Sequence, residues 1–300
     1  MEKIIIFLQN RDFFGAQVVH IPLIQELKRK YPNSRITIFS KHKISLILKQ
    51  CNLVNEVILE TSKINTLVTY LRINPTITIN LRKRSSFINI FISLLNFNKK
   101  IGFSTPFTKL FFTSVKKHNP KIYRAKNYLN LIESPLVPPI LKISKRISII
   151  PGAGGDFKIW NLKKYLTLAK ALKEKYPQYE IGFVIGEKER GFKEAIQENK
   201  LFKLYFNLEI NQLFDIIQTS QLIIANDCGP SHIAQISNTH YIILYSDEQN
   251  SAIETQNEWY NYKEGSSVLT SAPQKHINTL SVQDVFKEAE TILDKYHSIP

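Results

Sequence analysis

The segment NDCGPSHIAQIS crowds residues of different chemistry into one turn. It follows the apolar run QLIIA and precedes the strand-like THYIILY, and it contains Asp227, Cys228, Gly229 and His232. A strand that ends at Asp227 and a helix that starts after Gly229 would leave backbone N–H groups free at the helix start, where an anion can bind. A histidine on so short a helix can equally be a satisfied core residue, so spacing alone leaves the role of His232 open.

Two further loops of the second half carry residues suited to phosphate and ribose. PGAGGDFKIW combines Gly152 and Gly154 with the positive charge of Lys158, which would let the backbone approach a phosphate closely. GEKER offers Glu187 or Glu189 as an acceptor of hydrogen bonds from ribose hydroxyls. Neither loop matches GxGxxG or GxxxxGK[ST], and glycine-rich turns are also ordinary architecture. Together, the three loops predict a cradle for a nucleotide diphosphate.

Strand-like and helix-like segments alternate along the chain, which predicts doubly wound α/β sheets that present these loops at the carboxyl ends of their strands. The strands predicted in the first half are KIIIFL, RITIF, EVILE, TITIN and KKIGF. The helices predicted there are AQVVHIPLIQELKRKYP, kinked or started late at Pro22, YRAKNYLNLI, and stretches near 43–51, 62–72 and 84–97. The second half repeats the pattern with strands RISIIPG, EIGFVIG, QLIIAND and HYIILY and helices NLKKYLTLAKALKEKYP, opened by Asn161, NQLFDIIQTS and PSHIAQIS.

Prolines mark the domain boundary, since SPLVPPILK (134–142) holds three of them and is expected as a linker. The predicted domains are 1–138 and 139–280. A last helix, Val282 to Tyr296 within 281–300, could pack on either domain.

Composition limits the partners of the chain. Residues 1–140 hold 22 Lys+Arg and 6 Asp+Glu, a net charge of +16, whereas the rest hold 18 and 19, a net of −1. The first half is therefore expected to bind an anionic partner: nucleic acid, anionic lipid or phosphorylated glycan.

MEKIIIFLQN is typical of a first strand rather than a signal peptide, and FINIFISLLNF is shorter than the roughly 20 residues of a membrane span, so a cytoplasmic protein is expected. Cys51 and Cys228 lack a CxxC spacing and are expected to be reduced thiols.

These motifs give the chain a resemblance to glycosyltransferase family 9, the ADP-heptose:lipopolysaccharide heptosyltransferases. NDCGPSHIAQIS resembles the family's motif N-D-[ST]-G-x-x-H-[LIM]-A, with Cys228 in place of Ser or Thr. PGAGGDFKIWNLKKYLTLAKAL resembles P-G-A…K-x-W-P…F…L-A…L, with Lys158 and Trp160 in register and Asn161 in place of proline. The first half is similar more loosely, through YPNSRITIF, NEVI, KKIGF and RAKNYLNLI.

The resemblance implies a GT-B fold, in which two doubly wound, Rossmann-like parallel-sheet domains face a cleft, and an inverting transfer that needs no metal or other cofactor. Residues 1–138 would bind the acceptor, residues 139–280 would bind the nucleotide sugar, with ADP-heptose as the implied donor, and the last helix could cross back to the first domain. Lys158 would also stabilise the leaving diphosphate. The candidate donor-binding residues are Gly152, Gly154, Lys158, Trp160, Gly186, Glu187, Glu189, Asp227, Cys228, Gly229 and His232.

One departure from the family concerns the catalytic base. The family has a glycine-aspartate pair six residues before a proline, whereas this chain has Gly15-Ala16 before Pro22. Alanine cannot accept a proton, so Asp12, in the longer loop QNRDFFGA, and His20 are the alternative bases. Asp12 could equally be an exposed loop residue, and His20 a helix residue that faces solvent or the cleft. A second departure, LYSDEQNS in place of L-[FY]-G-x-T-x-P, concerns the donor sugar.

The resemblance gives the basic first half an anionic acceptor, a Kdo-bearing, lipid-anchored inner core at the cytoplasmic face of the inner membrane. The run RKRSSFINIFISLLNFNKK (82–100) is expected either as an interfacial helix or as a buried helix of the sheet. A relative that binds sugar nucleotide or glycan without transfer, and a sugar-nucleotide epimerase, stay open as alternatives. A nucleic-acid-binding module is disfavoured because no RNP, KH or zinc-finger pattern is present. The candidate acceptor-binding residues are Gly15, His20, Arg82, Lys83 and Arg84.

Overall fold

The boundary between the two structural units of the chain lies in the proline-rich segment predicted as a linker. The computed structural model describes residues 1–82, 90, 92, 98–249 and 252–296. The first unit is Met1–Val137 and the second is Pro138–Pro300.

The first domain is built on a parallel sheet with six strands among the described residues, in the order β3-β2-β1-β4-β5-β6. The strands are β1 (Lys3–Phe7), β2 (Arg35–Ser40), β3 (Glu56–Leu59), β4 (Ile77–Asn80), β5 (Lys99–Phe103) and β6 (Ser114–Lys116). The central strands β1, β2 and β4 are rich in isoleucine and buried on both faces, as expected when helices cover a parallel sheet.

The helices of this domain connect its strands or follow the last of them. They are α1 (Phe14–Val18), α2 (Ile21–Lys30), α3 (Ile47–Gln50), α4 (Lys63–Ile73), α5 (Thr108–Phe111) and α6 (Arg124–Asn130). Pro22 lies in the first turn of α2, where its missing N–H costs no hydrogen bond, so the predicted break in the first helix is confirmed. The predicted helix near 84–97 lies almost wholly outside the described residues.

The second domain repeats the topology of the first. Its six described strands pair in parallel in the order β12-β11-β10-β7-β8-β9. They are β7 (Ser144–Ile150), β8 (Glu180–Ile185), β9 (Lys203–Phe206), β10 (Ser220–Asn226), β11 (His240–Tyr245) and β12 (Ser266–Thr270). In both sheets the order matches 3-2-1-4-5-6, which is the order of the dinucleotide-binding fold. The prediction of two doubly wound parallel sheets is therefore confirmed.

The helices of the second domain are α7 (Leu162–Lys175), α8 (Lys193–Gln197), α9 (Ile210–Thr219), α10 (Ser231–Gln235), α11 (Ala252–Trp259) and α12 (Val282–Tyr296). Asn161 caps α7 as predicted, because its side chain accepts a hydrogen bond of 2.8 Å from the N–H of Lys163. The last helix, α12, could have packed on either domain, and the structure places it on the second. Four of its residues are buried in the core of that domain: Val285, Ala289, Ile292 and Leu293.

Candidate functional site

The candidate site lies at the centre of the second sheet, where β7 and β10 are neighbours and their connections run in opposite directions. Ligands of doubly wound sheets bind beyond the carboxyl ends of the strands at this point. The glycine-rich loop leaves β7 and the 227–231 turn leaves β10. A cavity of about 220 Å³ opens beside them and is lined by Gly152, Gly154, Gly186, Glu189, Cys228 and Gly229 together with aliphatic side chains. The three loops predicted from the sequence are thus brought together.

Asn226, at the end of β10, fixes the glycine-rich loop. It is fully buried, and its Nδ2 donates a hydrogen bond of 2.7 Å to the carbonyl of Pro151. Its Oδ1 accepts hydrogen bonds from the backbone N–H of Trp160 at 3.2 Å and from the hydroxyl of Tyr165 at 2.8 Å. Both ends of the loop are therefore tied to one side chain. Asn226 is the first residue of the NDCG motif, but its role in holding the loop was not predicted from the motif.

Trp160 is a core residue rather than part of the binding surface. Its side chain is fully buried, packs edge to face on Tyr165, and donates a hydrogen bond of 3.1 Å from Nε1 to the carbonyl of Leu280. A residue with no exposed surface cannot contact a donor, so the prediction that Trp160 binds the donor is wrong in this structure. The tryptophan supports the loop that carries Lys158.

Lys158 and Asp227 form an ion pair across the two loops. The lysine Nζ lies 2.6 Å from Oδ2 of Asp227, and the two side chains are 32% and 15% exposed. Tyr260 donates its hydroxyl proton to the other carboxylate oxygen of Asp227. Burial and the carboxylate of Asp227 raise the pKa of Tyr260 well above its usual value, so the phenol stays protonated. Tyr260 follows α11 outside any motif, so its contact with Asp227 was not predicted from the sequence.

The structure distinguishes the two acids of the GEKER loop, Glu187 and Glu189, which the sequence could not. Glu189 lines the cavity, and its Oε2 accepts a hydrogen bond of 3.1 Å from the N–H of Gly186. Glu187 is exposed and pairs with Arg190 at 2.7 Å. A Cβ on Gly152 would lie 2.4 Å from Oε1 of Glu189, so any larger residue at 152 would displace this carboxylate. Glu189 is therefore the acid placed to meet a ligand.

The turn that starts α10 differs from the sequence prediction in its free donors. The N–H of His232 donates to the carbonyl of Gly229 at 3.2 Å, and the N–H of Ile233 donates to that of Pro230 at 3.0 Å. Two N–H groups of the helix start are thus already used, and α10 is only five residues long. The expectation of free N–H groups is wrong for His232 and Ile233, because the first turn is wound tightly enough to use them.

His232 and Cys228 lie in the buried wall of this turn. The Nε2 of Gln235 donates a hydrogen bond of 3.0 Å to Nδ1 of His232, whose ring lies nearly parallel to that of Tyr260. Since an amide nitrogen only donates, the neutral imidazole carries its proton on Nε2. Burial raises the pKa of the Cys228 thiol to about 12, so the residue is a neutral wall of the cavity.

The loop after β11, where the chain departs from the family pattern, is tied to β12 through Asp247. The N–H of Asp247 donates to Oγ of Ser271 at 2.8 Å, and its Oδ2 accepts a hydrogen bond of 3.3 Å from the N–H of Gln274. Asp247 is buried. The part of this loop at 250–251 lies outside the described residues.

In the first domain, Arg82 is a buried structural cation. Its guanidinium donates to both carboxylate oxygens of Glu60 and, through Nε, to the carbonyl of Leu8 at 2.7 Å. The side chains of Arg82 and Glu60 are 4% and 7% exposed. Arg82 was expected to offer a charge to an acceptor, but its charge is neutralised by Glu60, and the same prediction for Lys83 and Arg84 lies outside the described residues.

His20 is also buried, so the expectation that it faces solvent is wrong. Its ring stacks on Tyr128 with centroids 4.9 Å apart. Burial and, to a lesser degree, the charge of Arg124 lower the pKa of His20 to about 3. The imidazole is therefore neutral at physiological pH.

Asp12 lies in the loop before α1 and is exposed, with Oδ2 3.7 Å from Nδ1 of His42. Gly15 and Ala16 are buried within α1. Ala16 therefore packs in the helix at the position where the family has its aspartate, and Asp12 is the carboxylate of this loop that solvent reaches.

Two further properties of the described residues bear on the site. No cluster of three or more His, Cys, Asp or Glu side chains that could hold a metal ion is found among them. No helix in the described parts of the chain combines the length and apolar character needed to cross a bilayer.

Solved structures with the same architecture define the class of fold. The chain aligns with ADP-heptose lps heptosyltransferase II of E. coli at a TM-score of 0.70 and 18% identity, covering 99% of this chain and 100% of the other. It aligns with a family 9 glycosyl transferase of Veillonella parvula at a TM-score of 0.72 and 17% identity, and the alignment covers 98% of each chain. It aligns with E. coli heptosyltransferase WaaC bound to ADP at a TM-score of 0.70 and 12% identity, and the alignment covers 97% of this chain and 99% of the other. The chain therefore has the GT-B fold of these enzymes.

The sequence places the chain within that class. The family model of glycosyltransferase family 9 (heptosyltransferase) matches residues 97–288, which is 192 of the 300 residues. No curated protein sequence matches the chain. The chain belongs to glycosyltransferase family 9, as the resemblance predicted.

Proposed function

We propose that this chain is an inverting glycosyltransferase that moves a heptose, or a related sugar, from ADP-heptose to an anionic, lipid-anchored inner-core acceptor of lipopolysaccharide. The single observation that carries the proposal is the Lys158–Asp227 pair, held at the centre of the second sheet beside a glycine-lined cavity. Membership in family 9 favours transfer over the epimerase alternative. The sugar transfer would take place at the cytoplasmic face of a bacterial inner membrane.

The donor diphosphate is proposed to bind at Lys158. An ammonium group has three donors, of which Asp227 takes one at 2.6 Å, so two remain for phosphate oxygens. Asp227 and Tyr260 hold the ammonium in place before the donor arrives, so little rearrangement is needed. Lys158 would then stabilise the negative charge that develops on the leaving diphosphate, which is the role a metal ion has in other enzymes.

The base and sugar of the donor are proposed to contact the cavity beside this pair. At about 220 Å³ it is smaller than the roughly 300–1,000 Å³ of pockets that hold whole ligands, so it suits one ring system of the donor. The aliphatic residues Ile150, Val184, Leu208 and Leu213 suit the face of a base. The carboxylate of Glu189 is available to accept hydrogen bonds from ribose hydroxyls.

In the chemical step, the acceptor hydroxyl attacks the anomeric carbon opposite the diphosphate, and a carboxylate takes the hydroxyl proton. Asp12 is the proposed base, because it is the exposed acid of the loop that carries Ala16 at the family's aspartate position. The alternative is a family member that binds the sugar nucleotide without transfer, for which the observation in favour is Ala16 itself.

A transfer assay separates these two functions. The purified protein is incubated with ADP-heptose and a Kdo-bearing lipid A acceptor, and ADP release and acceptor mass are followed. Transfer by the wild type that is lost in Asp12→Asn supports an enzyme with a relocated base. No transfer by the wild type, with transfer appearing in Ala16→Asp, would identify a binding protein instead.

A further inference from the structure

Helix α4 of the first domain exposes a stripe of aliphatic side chains. Ile64, Val68 and Leu71 are 73%, 46% and 50% exposed. Their spacing of four and three residues places them on one face of the helix. On another face, Thr66 and Tyr70 are buried against the sheet. The stripe has no role in the core and is a candidate interaction surface, because its apolar residues adjoin one another rather than being scattered singly.

A second exposed apolar cluster lies on α5. Leu110 is 78% and Phe111 48% exposed, and the Phe111 ring lies 4.7 Å from that of Phe107. Phe112, the next residue, is buried in the same core cluster as Tyr70 of α4. Helices α4 and α5 therefore cover the same face of the first sheet.

Positive charge predominates in this region. Residues 61–132 contain 13 Lys+Arg and no Asp or Glu, while Glu60 and Glu133, which flank the segment, pair with Arg82 and Lys116. At 100° per residue, Lys63 and Arg72 fall on opposite sides of the aliphatic stripe of α4, and both are exposed. Lys109 is exposed beside Leu110 on α5. Apolar side chains flanked by cations are thus presented from both helices.

We infer that α4 and α5 form a surface that binds an anionic lipid bilayer, with Ile64, Val68, Leu71, Leu110 and Phe111 entering the headgroup region. Aliphatic and phenylalanine side chains bordered by lysine and arginine are the pattern of interfacial helices. The excess of positive charge adds attraction to anionic headgroups, which falls off within a Debye length. A second copy of the chain would bring two surfaces of the same sign together, so self-association is disfavoured.

This surface deepens the proposed function, because a lipid-anchored acceptor is reached at a membrane. The test uses vesicles without acceptor, so that the two proposals can fail separately. The full chain is sedimented with vesicles of phosphatidylcholine alone, or of phosphatidylcholine mixed with phosphatidylglycerol. The test variant is Ile64→Ser/Val68→Ser/Leu71→Ser, and Leu201→Ser, which removes an exposed leucine from the second domain, is the matched control.

The wild type should bind the anionic vesicles and not the neutral ones, and added salt should weaken this binding. The triple variant should reduce the partition coefficient about tenfold or more, since three aliphatic side chains that would enter the membrane are lost. Leu201→Ser should bind as the wild type does. Arg72→Gln/Lys109→Gln, which leaves the apolar side chains in place, should weaken binding about tenfold and reduce its dependence on salt. This second variant keeps the test valid if the triple variant does not fold.

Three outcomes would overturn the inference. They are equal partition of the triple variant and the wild type, equal binding to neutral and anionic vesicles, and a wild-type dimer in solution that dissociates in the triple variant. The last would assign the stripe to contact between copies of the chain.

Discussion

The two domains share one strand order but place different ion pairs beyond the carboxyl ends of their strands. In the first, Arg82 and Glu60 are almost fully buried, and the arginine also bonds to the carbonyl of Leu8 just beyond β1. In the second, Lys158 and Asp227 remain partly exposed beside a cavity. A buried pair is held by the fold and cannot respond to a ligand, whereas a partly exposed pair can. The same topology therefore gives a structural site in one domain and a candidate binding site in the other.

The largest expected effect tests the structural side of this comparison. Arg82→Met should destabilise the first domain by about 3–5 kcal/mol, because Glu60 would be left buried without its partner. Urea unfolding of the full chain measures the loss. The double variant Arg82→Met/Glu60→Met should recover most of it, and ADP binding should be unchanged in both. A single variant as stable as the wild type would show that the pair is not buried as described.

The next effect tests the functional side. Lys158→Ala should lower the rate of sugar transfer about 100-fold, because the leaving diphosphate loses its charge-matched donor. The free energy of unfolding should change by less than about 1 kcal/mol, since the pair is partly exposed. Lys163→Ala, which removes an exposed lysine from the start of α7, is the control. Transfer at the wild-type rate by Lys158→Ala would refute the placement of the diphosphate.

A smaller effect concerns acid stability of the first domain. Burial lowers the pKa of His20 to about 3 from an unfolded value of 6.5, so the unfolded chain binds more protons between these values. Stability that is present above pH 6.5 is then lost as the pH falls toward 3, by about 2 kcal/mol between pH 7 and pH 5. His20→Phe keeps a ring on Tyr128 and removes the titration. Urea midpoints at the two pH values should differ less in the variant, and an equal difference would contradict the buried neutral imidazole.

The smallest effect concerns the glycine that faces Glu189. Gly152→Ala places a Cβ where Oε1 of Glu189 now lies, so the carboxylate must move and ADP binding should weaken about tenfold. Gly154→Ala is the matched control, because no atom lies within 4 Å of its added Cβ. Calorimetric titration with ADP compares the two. Equal loss in both variants would point to loop flexibility rather than to Glu189.

The sequence predicted the centre of each sheet better than its edges. Buried strands such as β1 and β10 are continuous apolar runs and were identified, whereas β6, β9 and β12 were missed. All three are edge strands whose sequences mix polar with apolar residues, whereas the edge strand β3 was identified because VIL gives it a continuous apolar run. Their sequence signal is difficult to distinguish from that of a loop.

The loops of the candidate site were predicted from residue types, but the individual roles were not. Lys158 and Asp227 form a pair, and Glu189 lines the cavity beside them, because the ends of β7, β8 and β10 lie at the same edge of the sheet. Trp160 and Arg82 were assigned to binding, and both are buried, because a motif does not reveal which way a side chain points. Tyr260 reaches Asp227 from 33 residues further along the chain, a contact that no local pattern encodes.

The second domain is proposed to bind a nucleotide diphosphate through its own side chains. The most direct measurement is a calorimetric titration of the wild type with ADP and, separately, with adenosine, both in the presence of a metal chelator. We expect ADP to bind under these conditions and adenosine to bind at least about tenfold more weakly, because the proposed contact of Lys158 is with the diphosphate. Absence of ADP binding, or equal affinity for both ligands, would contradict the account.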